Sequence, residues 1–117
     1  MRLNEVSYDV GQPIDGYGPG FFRVGGKRIE GAIFLHPTGI AMWGGFDDTD
    51  AILALADGID VLVLGTGAEI AHPPDAFRNL LESAGVGIEP MASAQACRTY
   101  NVLLGEGRRV GTALLPV

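Results

Sequence analysis

The sequence has 117 residues, a length typical of one small domain that buries enough surface to fold without disulfides or a structural metal. An apolar fraction of 47%, with 18 glycines and seven prolines, is typical of a globular chain and excludes a disordered one. The net charge of −6 disfavours nucleic acid as a partner, because phosphates are bound mainly by Lys and Arg.

Other classes of protein are excluded by what the sequence lacks. It has one cysteine, and its two histidines, His36 and His72, each precede a proline, which is turn chemistry more than metal ligation. We therefore expect no metal, no cofactor and no disulfide. No apolar run reaches the ~18 residues of a membrane span, and the N-terminus lacks a signal-peptide pattern. We expect a complete cytoplasmic protein with no membrane insertion.

The first part of the chain has strand patterns and no helix. Residues 1–19 form an irregular leader, with a short edge strand predicted at Glu5–Tyr8. Residues 20–46 predict a β meander: a strand at 21–24, a turn at Gly25-Gly26, a second strand at 27–35, a break at 36–39 and a third strand at 40–43. Gly-Gly supplies the positive φ angles that a two-residue hairpin turn requires.

The second part, residues 47–117, alternates between helix and strand. The predicted order is a helix at 51–56 capped by residues 48–50, a buried strand at 60–64, a helix at 75–84 ended by Gly85, a strand at 86–89, a helix at 93–104 capped by Ser93 and ended by Gly105, and a strand at 109–115. This β-α-β-α-β order predicts parallel strands with right-handed crossovers. We expect one α/β domain over residues 1–117, in which both parts share a mixed sheet.

Two loops follow the predicted parallel strands at their carboxyl ends, where open α/β sheets bind ligands. One is Gly65-Thr66-Gly67, and the other contains Met91 and Ser93. Each leads to a helix N-terminus, where free N–H groups favour an anion. Ile70 replaces the third glycine of a dinucleotide-binding loop, so a nucleotide site is disfavoured. The ligand hypothesis is therefore a small anion in this crevice, with Arg98 as its charge partner.

The predicted helix from Ser93 carries the densest polar stretch. Gln95, Arg98 and Asn101 share one helix face, which is either a small binding face or, the favoured interpretation, an ordinary solvated side. Cys97 on the same helix is expected to be a small buried hydrophobic residue, because neither histidine is adjacent in sequence to act as a base.

No set of side chains forms a catalytic motif. Glu69, Glu89 and Glu106 each lie near a strand end or a turn, and the favoured interpretation is a solvated surface carboxylate. We therefore expect no catalytic residue.

Aromatic residues suggest a different kind of site. In the run from Trp43 to Phe46, two glycines leave both rings uncovered, so these rings are candidates for an exposed contact. Core packing is the favoured interpretation for Trp43. Tyr17 in the leader is a further candidate for an exposed apolar contact.

Several runs of the sequence resemble one protein family. They are Asp60–Gly67, Ala96–Arg108, Gly111–Pro116 and Gly31–Leu35, together with Trp43. The family is an MTH-type domain family of unknown function with archaeal and bacterial members, a mitochondrial assembly factor of NADH:ubiquinone oxidoreductase and an adipogenesis-associated animal protein. This chain looks like a bacterial member. It departs from the pattern at Ala92–Ser93, where members often have Asp-Thr, so the hydroxyl is kept and the carboxylate is absent.

The resemblance implies a three-layer fold, in which an extra β layer lies on an α/β/α core, and it implies no established catalytic activity. Because the mitochondrial relative acts through protein association, we expect a non-catalytic interaction or assembly module whose protein partner is unknown. Self-association is left open. The alternative is a small-molecule binding protein or enzyme that uses the crevice: Gly65, Thr66, Gly67, Met91, Ser93, Arg98 and Asn101.

Overall fold

A computed structural model describes residues 11–117. In chain order, its strands and helices are β1 (Ile14–Gly18), β2 (Phe21–Val24), β3 (Lys27–Glu30), β4 (Ile33–His36), β5 (Gly39–Met42), α1 (Asp50–Ala54), β6 (Val61–Thr66), α2 (Asp75–Ser83), β7 (Gly87–Met91), α3 (Ser93–Gly105) and β8 (Val110–Leu115). A 3₁₀ turn, Ala56–Gly58, follows α1.

The strands form two sheets. One is antiparallel with the order β1-β2-β3, and the other has five strands in the order β5-β4-β8-β6-β7. In the larger sheet β6 pairs in parallel with β7 and with β8, whereas β4 is antiparallel to β5 and to β8. The predicted mixed sheet with a parallel β-α-β-α-β portion is therefore confirmed.

The predicted strand at 27–35 is in fact two strands in different sheets. Gly31 lies at φ +88°, a left-handed conformation that turns the chain between β3 and β4. Its N–H donates to the Gly20 carbonyl at 2.9 Å, which fixes this corner. Consequently only β4 and β5 join the C-terminal strands, and β1 to β3 form the extra β layer. The expectation that both parts of the chain share a mixed sheet is confirmed, but the first part contributes only β4 and β5 to it.

The leader is less irregular than predicted. Residues 14–18 form β1, which pairs with β2 through a register that shifts between Ile14 and Gly16. The predicted edge strand at Glu5–Tyr8 lies outside the described residues. The predicted hairpin turn is confirmed, because Gly25 and Gly26 have φ of +59° and +78° and Val24 pairs with Lys27.

The helix ends depend on glycine more than on side-chain caps. Gly85, at φ +89°, follows α2 as predicted. α3 runs through Gly105, and the left-handed residue is Gly107, whose N–H donates to the Leu104 carbonyl at 3.0 Å. The predicted hydroxyl cap of α3 was wrong, because the helix begins after Ala92 without a side-chain cap.

The five-stranded sheet lies between two layers. One of its faces packs against α3 and the smaller sheet, in a core that includes Phe22, Ile33, Leu35, Val63, Cys97, Tyr100 and Leu114. The other face packs against α1 and α2, in a core that includes Phe34, Trp43, Ile52, Leu62, Leu64, Phe77 and Leu81. We call the face against α3 the pinned face and the face against α1 and α2 the aromatic face. This arrangement confirms the three-layer fold.

Within residues 11–117, no helix combines the length and the apolar character needed to cross a membrane.

Candidate functional site

The carboxyl ends of the parallel strands meet at Ser93. Its side chain is fully buried, and its Oγ donates to the Leu115 carbonyl at 2.6 Å and accepts from the Gly67 N–H at 2.8 Å. The Ser93 N–H also donates to the Gly67 carbonyl at 2.8 Å. One residue therefore joins the start of α3 to the ends of β6 and β8. The hydroxyl expected to cap the helix instead ties the strands together.

Close packing fills the space beside Ser93. A Cβ placed on Gly65 would lie 2.6 Å from the Leu114 Cδ2 and 2.7 Å from the Ser93 Oγ. Gly65 is thus needed because α3 approaches β6 at this point. Met91, at the end of β7, is half-buried against the pinned face. The predicted crevice residues Gly65 and Ser93 therefore do come together. They pack directly against each other, however, where the ligand hypothesis requires open space for an anion.

Thr66 organises the loop that follows β6. Its Oγ1 donates to the Glu69 carbonyl at 2.7 Å, lies 3.2 Å from the Met91 carbonyl and accepts from the Ala71 N–H at 3.0 Å. The loop is consequently folded back on the strand end, and Ile70 at its tip is 68% exposed.

Arg98 and Asn101, the other two predicted crevice residues, lie on α3. Arg98 is exposed on α3. Asn101 is bound elsewhere: its Oδ1 accepts from the Ile14 N–H and its Nδ2 donates to the Ile14 carbonyl, both at 2.8 Å. An anion held by these residues stays a prediction, and the geometry of Ser93 and Asn101 does not favour it.

Tyr100 was missed by the sequence analysis. It is fully buried, and its hydroxyl donates to the Gln12 carbonyl at 2.8 Å. Burial raises the pKa of this phenol well above its usual value. Tyr100 and Asn101 therefore both bind the segment that leads into β1 and hold it against α3. An aromatic residue within an apolar helix pattern indicates burial, but not the main-chain partner of its hydroxyl.

Cys97 is buried, as expected for a small hydrophobic residue. Burial is the main influence on its thiol and raises the pKa to about 11, although the positive charge of Arg98 acts in the opposite direction. The thiolate is therefore scarce at neutral pH, and this does not favour a nucleophile.

In the run from Trp43 to Phe46, the tryptophan is buried and the phenylalanine is half-buried. Trp43 is 5% exposed, its Nε1 donates to the Asp48 carbonyl at 3.0 Å, and Phe46 meets it edge-on with ring centroids 5.7 Å apart. The Gly44 N–H donates to the Asp48 carboxylate at 2.8 Å, which closes the loop. Trp43 as an exposed contact was wrong, because the glycines allow a turn that folds both rings onto Phe77.

The remaining titratable candidates are dispersed. Glu69, Glu89 and Glu106 are all exposed. His36 is half-buried, and burial lowers its pKa, whereas His72 is exposed. Among residues 11–117, no three His, Cys, Asp or Glu side chains are grouped as a metal site requires.

Exposed apolar side chains are the notable surface feature. Tyr17 is 42% exposed and Val117 is 36% exposed. The Gly20 N–H donates to the Val117 carbonyl at 3.0 Å, which places the turn after β1 beside the chain end. Ile70 lies at the same end of the larger sheet, since Thr66 pairs with Leu115. These three exposed residues belong to segments near the carboxyl ends of β6 and β8, and we call them together the carboxyl-edge patch.

Sequence reasoning identified only Tyr17 of this patch. Ile70 and Val117 are isolated apolar residues in segments without periodicity, so no pattern indicates whether they are buried.

Solved structures with the same fold include two from bacteria. A protein from Bartonella henselae described as an outer membrane protein is 36% identical, with a TM-score of 0.82 over 89% of this chain and 93% of that one. A Bordetella pertussis protein described as a Mth938-like domain is 29% identical, with a TM-score of 0.76 over 99% of this chain and 92% of that one.

Relatives in sequence are also found. An uncharacterised protein of Rhodobacter capsulatus is 54% identical over all of this chain and 94% of its own length. A second relative is the NADH dehydrogenase [ubiquinone] 1 alpha subcomplex assembly factor 3 of Bos taurus, which is 30% identical. The matched region covers 88% of this chain and 60% of that protein. The family model described as "Protein of unknown function (DUF498/DUF598)" matches residues 14–115. The chain therefore belongs to this family of proteins of unknown function, which confirms the resemblance found in its sequence.

Proposed function

We propose that this protein is a non-catalytic interaction module that assists the assembly of a larger protein complex. The observation that carries the proposal is the division of roles at the carboxyl edge. Two polar side chains there, Thr66 and Ser93, bond to main-chain groups, and Asn101 does the same at β1, whereas apolar side chains are left exposed. Catalysis and anion binding need free polar groups, but protein association needs exposed apolar area.

The carboxyl-edge patch is the proposed contact. Tyr17 offers an amphipathic ring of the kind that is enriched at interfaces, and Ile70 extends from a loop that is already ordered by Thr66. An ordered loop loses little conformational entropy on binding. Glu69 is exposed beside Ile70 and the chain carries a net charge of −6, so we expect a partner with a basic rim around an apolar centre.

The relatives suggest the kind of partner. The Bos taurus relative is described as an assembly factor of NADH dehydrogenase. We propose by analogy that the partner here is a subunit or a second assembly protein of a respiratory complex. This chain spans 60% of that relative, so the analogy extends only to the shared domain.

Site-specific photo-crosslinking in the native cell tests the proposal. A photoreactive residue is placed at position 17 or 70, and at position 102 as a control, because Val102 on α3 is 59% exposed but lies outside the patch. We expect one protein to be crosslinked from positions 17 and 70 and not from 102. The affinity of that purified protein is then measured by calorimetry.

Two matched variants make the test quantitative. Ile70→Asp is expected to weaken the affinity at least about tenfold, because a charge replaces a desolvated anchor, whereas Val102→Asp leaves it within about twofold. Equal effects of the two variants, or crosslinks from position 102 alone, would count against the patch. Crosslinks only to proteins unrelated to complex assembly would count against the proposed role.

A further inference from the structure

The outer strands of the two sheets differ in how they are protected against pairing. β3 presents Lys27, Arg28 and Glu30, and the outer strand β7 contains Glu89 and Pro90. The main chain of β1 is bound by Asn101. Charges, proline and a covering element are the usual means by which a strand edge avoids pairing with another chain.

β5 has none of these protections. Its residues, Gly39, Ile40, Ala41 and Met42, include no charge and no proline, and it is the outer strand beside β4. Ile40 and Met42 are 37% and 60% exposed. Within residues 11–117, no strand pairs with the outer side of β5.

The hydrogen bonds of β5 show which of its main-chain groups face outward. The Trp43 N–H donates to the Ala32 carbonyl at 3.0 Å, and the register continues with Met42 opposite Ile33. Because alternate residues of a strand bond to opposite sides, Ala41 also turns its N–H and C=O toward β4. The N–H and C=O groups of Ile40 and Met42 therefore face away from the sheet.

We infer that β5 pairs antiparallel with β5 of a second copy of this chain, so that the two five-stranded sheets become continuous. The outward groups at positions 40 and 42 set the register, in which Ala41 faces Ala41 of the second copy. Ile40 of each copy then lies opposite Met42 of the other. Each of these two pairs exchanges two N–H···O bonds, which gives four bonds between the strands. The apolar side chains that one chain exposes cover each other.

Charge favours a second copy as the occupant. Two chains of net charge −6 repel, so their close approach is least opposed at a surface without like charges. Residues 31–46 contain no Asp, Glu, Lys or Arg, and β5 lies within this stretch. A partner selected by its charge has nothing to recognise there, whereas an uncharged and self-complementary strand fits a copy of itself.

The contact is small, which determines the expected affinity. Four residues on each side bury less than the ~1,000–1,200 Å² that separates weak interfaces from stable ones. We therefore expect a dissociation constant on the order of 0.1–1 mM. This inference does not rest on the proposed function, because the carboxyl-edge patch and β5 involve different residues.

Sedimentation equilibrium up to about 1 mM chain tests the pairing. The wild-type average mass should rise with concentration toward that of a dimer. Ile40→Lys or Met42→Glu alone should weaken association at least about tenfold, since each buries an unpaired charge. The double variant I40K/M42E places opposite charges across both pairs of the inferred register, so its association should recover. Val102→Lys, an exposed substitution on α3, should behave as the wild type.

Hydrogen exchange gives a second, independent readout. The amide of Ala41 should be protected at every concentration, and the amides of Ile40 and Met42 only as the dimer forms. Tryptophan fluorescence verifies that each variant keeps Trp43 buried. A constant monomer mass overturns the inference, as does a dimer that neither single variant weakens. Protection of Ile40 and Met42 in the monomer would assign this edge to another segment of the same chain.

Discussion

The two faces of the larger sheet are covered in different ways. On the pinned face, Ser93, Tyr100 and Asn101 use their polar side chains to hold main-chain groups of distant segments. On the aromatic face, Trp43, Phe46 and Phe77 pack edge-on or tilted against one another, with ring centroids 5.2 to 6.1 Å apart.

Sequence separation explains the difference. Asn101 and Ile14 are 87 residues apart, and nothing in the local chain determines where β1 meets α3. Hydrogen bonds are directional, so they set a register that apolar contact alone leaves open. Polar side chains in this protein therefore serve to align distant segments.

The largest expected effect lies on the aromatic face. Phe77→Ala removes a side chain that is 2% exposed and contacts both other rings of the cluster. Lost burial and the resulting cavity should lower the free energy of unfolding by about 3–5 kcal/mol. Urea denaturation followed by Trp43 fluorescence measures this loss. Because the cluster is one apolar unit, we expect a single cooperative transition.

Leu80→Ala is the matched control on the same helix, since Leu80 is 45% exposed. Its effect should stay within about 0.5 kcal/mol. Comparable losses for the two variants would mean that the contacts of Phe77 with the other rings do not stabilise this face.

A smaller and more local effect is expected on the pinned face. Asn101→Ala removes both bonds to Ile14 and should lower the free energy of unfolding by about 1–3 kcal/mol. Since those bonds hold β1 and not the whole core, the amide of Ile14 should exchange faster than amides of β6. Hydrogen exchange measured by NMR distinguishes this local opening from global unfolding.

Gln95→Ala is the control for this variant, because Gln95 is exposed on the same helix. Its Ile14 amide should exchange as in the wild type. If Asn101→Ala accelerates exchange equally in β1 and β6, the asparagine supports the whole fold and the proposed division between the faces fails.

The same division explains what could be predicted from the sequence. The strand of β6 and the stop of α2 at Gly85 were found because an apolar run and a glycine encode them locally. The break at Gly31 was missed, since apolar residues continue after it and the pattern looks unbroken. The turn there depends on Gly20 and on how the smaller sheet packs, neither of which is local.

The candidate site was predictable only in part. The sequence identified Ser93 and Asn101 as polar residues on one helix, which was correct. Their partners are main-chain groups at Leu115, Gly67 and Ile14, and no spacing rule connects positions so far apart. Serine and asparagine are typical of binding sites, but here they hold main-chain segments together. The exposed Ile70 belongs to no periodic pattern, so the sequence did not indicate it.

The smallest predicted effect is on how the free energy of unfolding depends on pH. It arises from the Cys97 thiol, which lies on the pinned face. Burial raises the pKa of Cys97 to about 11, above its value in the unfolded chain, so the folded state retains the thiol proton longer. The stability this contributes is complete below the unfolded pKa of about 8.5 and is lost as pH rises toward the folded value. From pH 8 to pH 10, wild type should lose on the order of 1 kcal/mol more than Cys97→Ser, measured by urea denaturation. Phe77→Ala should retain the wild-type pH dependence, because it leaves the Cys97 thiol in place on the pinned face. Equal losses in wild type and Cys97→Ser would show that the thiol is not shielded from water.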